Sequence, residues 1–272
     1  MKKTSLLKIF CSVLSVVLLM SSCLGDGDSS FTIEKDFAYI TENIYGQKYA
    51  VTSNGYIMHE NITNLTSAGN CYFIAYKISS SSADGYYNAE YVNILNSGNP
   101  IAKQSLSLEK PYENSGLVSR NDTIVPTSVS IAAWSPANTI GDNWLIGYSL
   151  TKKERDEVKA FFYYDKTNQK DSEGEIDPAK DNKIIIDVRF GITDKGTGDN
   201  TVTDSFSAVG NLSYLRSNFS PNFSGVTTDY VNVPVKFRYQ KYTSSGQPAE
   251  VVYIGNWQLS GSNAYYIQFT KN

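Results

Sequence analysis

In the stretch KIIIDVRFGI, residues 183–192, apolar side chains recur at every second position. Ile184, Ile186, Val188, Phe190 and Ile192 fall on one face of an extended chain, with Lys183, Asp187 and Arg189 opposite. Only a β-strand repeats with period two, so such a run buries one face and wets the other only as part of a sheet. The same rhythm governs VNVPVKFRYQK, residues 231–241: Val231, Val233, Val235, Phe237 and Tyr239 share one face, while Asn232, Lys236, Arg238 and Gln240 share the other. Pro234 sits on the polar side without a ladder donor, which predicts an edge or bulged strand. Further strands are expected at TSVSIAAW, NWLIGYSL, KAFFYYD, FSAVGNLSYL, VVYIGNWQL and AYYIQFTK. Strands with one apolar face each predict a two-sheet β-sandwich over residues 127–272.

Residues 31–105 have a different rhythm. DFAYITE precedes KYAVTSNGYIMHE, whose Asn54-Gly55 pair is the strongest short hairpin signal in the chain. NCYFIAYKISS and GYYNAEYVNILN follow. About five short strands in so few residues suit a small OB-like barrel. Residues 106–126 lose periodicity and gain Pro, Ser and Asn, as a linker does. The expected class is therefore all-β, a small OB-like barrel followed by a β-sandwich. A composition of 20 Tyr and 12 Phe favours strands over helices. TKKERDEVK, residues 151–159, is nearly all charged and reads as a solvated hairpin connection.

The N-terminus is an address. Lys2, Lys3 and Lys8 precede an apolar run, IFCSVLSVVLLM, that is too short to span a bilayer. Residues 1–22 thus read as a signal peptide. Met20-Ser21-Ser22-Cys23 resembles a bacterial lipobox, which implies lipid attachment at Cys23 and a role for the cysteine as anchor. Two or three acyl chains hold a protein on a membrane where one does not. Residues 23–30, rich in Gly, Ser and Asp, form a flexible tether. Cleavage removes three of the 24 basic residues and none of the 27 acidic ones, leaving a net charge of −6. That balance offers no footprint for nucleic acid. Cys71 is then the one thiol that is neither discarded nor lipidated, and it reads as a small core hydrophobe.

Histidine limits the chemistry. His59 is the single one, which rules out multi-histidine zinc sites, and no nucleophile elbow or phosphate loop accompanies it. An exposed strand position beside Glu60 is the plainer reading of His59. Asp171, Glu173, Glu175, Asp177 and Asp181 crowd one loop, and Asp194, Asp199 and Asp204 another. A glycosidase needs two such acids across an enclosed cleft, and calcium needs oxygens converging at EF-hand-like spacing. Solvated loop tips account for both clusters, so no metal, cofactor or catalytic residue is expected. Aromatics are the remaining candidates for a ligand: Trp134, Trp144, Trp257, Tyr86, Tyr87, and the Phe219/Phe223 pair in SNFSPNFSG. Phe219 and Phe223 stand out because their loop is rich in Pro, Ser and Asn. Asp122-Thr123-Ile124 resembles an O-glycosylation acceptor of Bacteroidetes periplasmic proteins, with Thr123 as the acceptor.

The lipobox with its acidic tether, the short barrel ending in AEYVNILNSGNPIAK, and a sandwich carrying SVSIAAWSP, NWLIGYSL, KIIIDVRF and VPVKFRYQKY together resemble the NigD-like lipoproteins of Bacteroidales. The resemblance implies an OB-like domain, a β-sandwich, and an envelope lipoprotein whose biochemical role is not established. The expected function is a lipid-anchored outer-membrane protein, on the periplasmic or cell-surface side, that binds an envelope protein, a bacteriocin or a glycan without catalysis. The alternatives are a glycan-binding lipoprotein of a polysaccharide-uptake system, which requires a row of exposed aromatics, and a carboxylate-dependent glycoside hydrolase.

Overall fold

The computed structural model describes residues 30–79, 85–111, 123–132, 140–244, 249–261 and 263–271. The leader, Cys23 and Trp134 lie outside them. The fold is all-β, a small barrel followed by a sandwich.

The barrel begins with β1 (Ser30–Glu42), which pairs antiparallel with β2 (Lys48–Thr52) through Tyr39–Glu42 and with β4 (Cys71–Ser79) through Ser30–Tyr39. A bulge between Ile33 and Asp36 bends β1 enough to serve both partners. β2 turns into β3 (Gly55–Met58) through Ser53 and Asn54, and Gly55 opens β3 at φ +126°, a conformation that side chains resist. The expected hairpin is thus present one residue earlier than the Asn-Gly pair suggests. Helix α1 (Glu60–Leu65) then leads into β4 and buries Ile62 in the barrel core. His59 caps it, its Nδ1 accepting from the Asn61 amide at 3.1 Å, so the single histidine is a helix cap and not a strand residue.

Closure comes from one interrupted strand. β5 (Tyr86–Asn88) runs parallel to β3, and β6 (Tyr91–Ile94) runs antiparallel to β4. Between them the Ala89 amide donates to Met58 and the Glu90 amide to Lys77, so the chain steps from one edge of the sheet to the other. The interior holds Ala38, Ile40, Ala50, Ile57, Ile74 and Val92 among others.

The sandwich takes its first strand from the expected boundary. β7 (Lys103–Ser107) straddles residue 105, where the barrel was expected to end, yet all its pairing is with the second unit. Lys103–Ser105 lie parallel to β15 (Thr201–Asn211), and Leu106–Ser107 lie parallel to β11 (Glu157–Tyr163). β7 is therefore the bridge between two facing groups. One group contains β15, β10 (Asn143–Lys153) and β9 (Ser128–Ala132). The other contains β11, β14 (Ile184–Asp194), β16 (Tyr230–Lys241) and β17 (Glu250–Ile254), with β8 (Thr123–Ile124) on β14 and β18 (Tyr266–Thr270) on β16. Trp144 of β10 meets Phe237 of β16 at 5.2 Å, and Tyr148 meets Phe190 at 4.7 Å, across the layer between the groups. Ile184, Ile186, Val188 and Phe190 are all in this core, as their alternation requires.

Three local expectations change. β16 is a central strand, flanked by β14 on one side and by β18 and then β17 on the other. The Val235 amide points to Tyr265, so the nitrogen of Pro234 points to the β14 side, where pairing starts only at Val235. The missing donor therefore costs no ladder bond. Residues 154–156 are not a hairpin connection, because β10 and β11 do not pair; they carry the chain from one group to the other. Finally, the acidic stretch 167–182 is folded. It contains the hairpin β12 (Lys170–Asp171) to β13 (Gly174–Glu175) and helix α2 (Pro178–Asp181), and its Gln169 lies buried. Gln169 bonds both backbone groups of Ile185, at 2.8 and 2.9 Å, continuing the ladder where β11 ends.

Barrel and sandwich share an apolar seam. Phe37, Tyr39, Cys71 and Phe73 of the barrel meet Leu145 and Val209 of the sandwich around Ile101. Burial pushes the Cys71 thiol up to about 12, with Lys103 acting weakly the other way, so it stays a protonated core group. Gly141 admits the Tyr39 ring: a Cβ there would lie 2.8 Å from it. Among the described residues no helix is long and apolar enough to cross a membrane.

Candidate ligand-binding surface

The aromatics singled out on the sandwich are mostly core. Trp144 is 1% exposed and packs between Phe237 and Tyr265. Phe219 is 6% exposed against Phe269, because helix α3 (Leu215–Asn218) turns the chain inward and the Phe219 amide closes it onto Leu215. Phe223 is half-buried against the same core. Loop composition suggested exposure at SNFSPNFSG, but hydrophobic burial dominates there. Trp257 donates to Asp171 at 2.8 Å with the Lys236 ammonium 4.4 Å above its ring. Thr123 is partly buried in β8 opposite Gly191, and its neighbour Asp122 lies outside the described residues.

The barrel presents a different picture. Its register turns Tyr49 and Val51 of β2, Tyr56 and Met58 of β3, and Tyr86 and Asn88 of β5 away from the axis, opposite the inward Ala50, Ile57 and Tyr87. Pairing sets Val51 beside Tyr56, and Tyr56 beside Tyr86. The rings of Tyr56 and Tyr86 stack at 4.6 Å with 28° between their planes. Tyr49 meets them edge-on at 5.7 and 6.1 Å. Such contacts are favoured by the aromatic quadrupole and hold the rings as one unit. Tyr86 remains 48% exposed. Burial, followed by the neighbouring phenols of Tyr86, Tyr56 and Tyr39, raises Tyr49 above its ordinary value, so its hydroxyl is uncharged at neutral pH. Beyond the Lys48 end of β2, the β1–β2 loop exposes Ile44 at 92% and Tyr45 at 87%. Asn43 braces this loop, its Oδ1 accepting from the amides of Tyr45 and Gln47 at 2.9 and 3.0 Å.

This arrangement suits stacking and hydrogen bonding at fixed positions, since strands hold side chains better than loops do. Sequence reasoning singled out Tyr86 and missed Tyr49 and Tyr56. Their signal is the Asn54-Gly55 hairpin itself, which places outward aromatics on both arms within one diagonal of each other.

No family model matches the chain. No curated protein matches it either. Among solved structures it is similar to an uncharacterised protein from Parabacteroides merdae, with a TM-score of 0.59 at 12% identity, over 88% of this chain and 99% of that one. A protein of unknown function from Bacteroides vulgatus matches with a TM-score of 0.46 at 12% identity, over 87% and 96% of the two chains. The first likeness shows the fold alone.

Two polar clusters lie elsewhere on the molecule. A shallow cavity of about 240 Å³ opens on the outer face of the sandwich, beside Lys170, Arg189, Arg238 and Tyr253. Arg238 spends its donors inward: Nε and Nη2 on Asp187 at 2.8 and 2.7 Å, and the rest on Asn168 and the Lys170 carbonyl. Arg189 also bonds Asp187, at 2.7 Å. Burial opposes the charge on Arg238, but Asp187 outweighs it and raises the guanidinium above its ordinary value. This cluster fastens the folded insertion to β14 and β16, and Asp171 does the same through Lys236 at 2.7 Å. Among the described residues no group of three or more His, Cys, Asp or Glu is placed to hold a metal.

The second cluster lies at the β1 bulge. Asp36 accepts from Tyr76 at 2.8 Å and from Asn54 at 3.0 Å. Burial raises its carboxyl above the ordinary value, while the bonds from Tyr76, Asn54, Phe37 and Ser53 pull it down. A carboxyl raised in the folded state binds more protons there than when unfolded, so its contribution to stability grows as pH falls through the raised value. Asp36→Asn is expected to raise stability at pH 7 and to lose that advantage near pH 4. Urea midpoints of both proteins at the two values check it; a constant difference would contradict the assignment.

Proposed function

We propose that this chain is a lipid-anchored protein of the cell envelope that acts by binding, with the tyrosine face of the barrel as its contact surface. The single observation behind the binding role is the stacked Tyr56–Tyr86 pair, joined by Tyr49, on the outside of the barrel with Tyr86 open to solvent. The three rings pack across their strands yet leave Tyr86 half-exposed, and surface aromatics in clusters mark contact sites. The anchor rests on the lipobox-like Met20–Cys23 segment and the short apolar leader, and the NigD-like resemblance supports the same address. The outer-membrane site is part of the same proposal and rests on the NigD-like resemblance. The glycosidase alternative is not advanced: among the loop acids behind it, Asp171 is bonded to Lys236 and Trp257.

The anchor is tested by intact-mass measurement and detergent partitioning of the protein made in its native host, beside Cys23→Ala. The expected result is acyl mass on Cys23 and membrane partitioning, both lost in the variant. A wild-type protein that is soluble, unmodified and cleaved elsewhere would overturn the anchor and with it the outer-membrane address.

A further inference from the structure

We infer that Tyr49, Tyr56 and Tyr86, with Asn88 beside them, form a subsite for the pyranose rings of an uncharged glycan; this rests on the binding role proposed above. The six outward positions of β2, β3 and β5 are Tyr49, Val51, Tyr56, Met58, Tyr86 and Asn88, and none carries a charge. A nucleic acid needs cations along its phosphates even where its bases stack, and an acidic polysaccharide needs them for its carboxylates. Neither requirement is met by these six positions.

What the surface offers matches a neutral sugar. A pyranose ring has an apolar face of C–H bonds and a rim of hydroxyls. A phenol likewise has an apolar face and one polar tip. Tyr56 and Tyr86 stack on each other at 4.6 Å and Tyr49 meets them edge-on at 5.7 and 6.1 Å, so the cluster offers the half-exposed Tyr86 ring and a rim of ring edges and hydroxyls, a patch on the scale of one sugar unit. Asn88 shares the outward face of β5 with Tyr86, two residues on, and its amide supplies a donor and an acceptor. Tyr side chains on paired strands lose little freedom on binding, which favours a weak-contact ligand such as a sugar. A protein partner of the usual kind covers about 800 Å² of each surface, with a dry apolar centre. Three phenols and an amide, with Val51 buried and Met58 half-buried among them, present a narrower and more polar patch on the strands.

The test is a glycan array and calorimetry on the full-length protein in detergent. Maltohexaose and cellohexaose serve as neutral probes, with hexagalacturonate and an oligothymidylate as charged ones. Wild type is expected to bind at least one neutral glycan saturably. Tyr56→Ala and Tyr86→Ala are expected to weaken it by about tenfold each, as the loss of one stacked ring implies. Tyr86→Phe keeps the ring and most of the affinity. Circular dichroism and melting confirm that each variant is folded, and Tyr86, being half-exposed, can be replaced with least disturbance.

Binding only to the charged probes would overturn the inference. So would an array blank for every neutral glycan, or an affinity that both alanine variants leave unchanged. The binding role itself is read separately, by cross-linking in the native host. If the array is blank but Tyr86→Ala abolishes a specific cross-link to an envelope protein, the sugar falls and the binding surface stands. If cross-linking and glycan binding are both indifferent to the face, both readings fall.

Discussion

Asp187→Ala is expected to lower stability by about 3–5 kcal/mol, as breaking a buried ion pair does. The Asp187 side chain is fully buried, and those of Arg238 and Arg189 are 6% and 14% exposed. Removing the carboxylate leaves two guanidiniums facing each other under the insertion with their shared counter-charge gone. Their bonds to backbone carbonyls of Val188, Asn168 and Lys170 remain, but they cannot neutralise charge. A loss of this size is a large fraction of a typical domain's stability of about 5–15 kcal/mol. Urea denaturation measures it, and Asp187→Asn separates charge from hydrogen bonding because it keeps an acceptor oxygen. A cost below about 1 kcal/mol for the alanine variant would mean that the cluster is solvated and repaid by water.

Trp144→Ala carries a comparable cost, about 3–5 kcal/mol, for a different reason. The indole sits at the layer between β10 and β16, in contact with Phe237 and Tyr265, and its removal opens a cavity that rigid strands close poorly. Its Nε1 has no hydrogen-bond partner among the described residues, so the ring is held by packing and not by its polar atom. Trp144→Phe, which removes that unsatisfied donor and keeps an aromatic ring, is therefore expected to cost much less than alanine. Thermal unfolding of the two variants checks the ordering. Equal and small losses would return Trp144 to the surface and to the list of ligand contacts.

Asp187 lies on the outer face of the β14–β16 pair, while Trp144 of β10 packs against its inner face at Phe237, and together they show how far a strand can be read in one dimension. Val188 and Phe190 had to face the core because alternation is local to the strand. Asp187 and Arg238 belong to the other, polar face, yet they are buried. Nothing within either strand announces this. The cover is the folded stretch 167–182, and its arrival depends on contacts made far along the chain, such as that of Asp171 with Lys236. The acidic composition of that cover pointed to solvent, whereas the cations beneath it were themselves hidden in the polar faces of β14 and β16.

The barrel repeats the lesson at its surface. Tyr86 and Tyr87 were known to point in opposite directions from their adjacency, but not which one enters the core. Parallel pairing of β5 with β3 decides it, placing Tyr87 beside Ile57 and Tyr86 beside Tyr56. Phe219 shows the converse error, since a loop of Ser, Pro and Asn carried its ring into the sandwich through the turn of α3.

The sequence by itself determined the all-β class, the order of barrel and sandwich, the β2–β3 hairpin and the inward face of β14 and β16, because hydrophobic period and turn chemistry act over a few neighbouring residues. Only the tertiary structure decided that β7 belongs to the sandwich, that Asp187 is buried, and that Tyr49, Tyr56 and Tyr86 meet on one outer face. Those outcomes depend on which strands become neighbours, and pairing between distant segments is set by closure and burial of the whole chain, not by any local run.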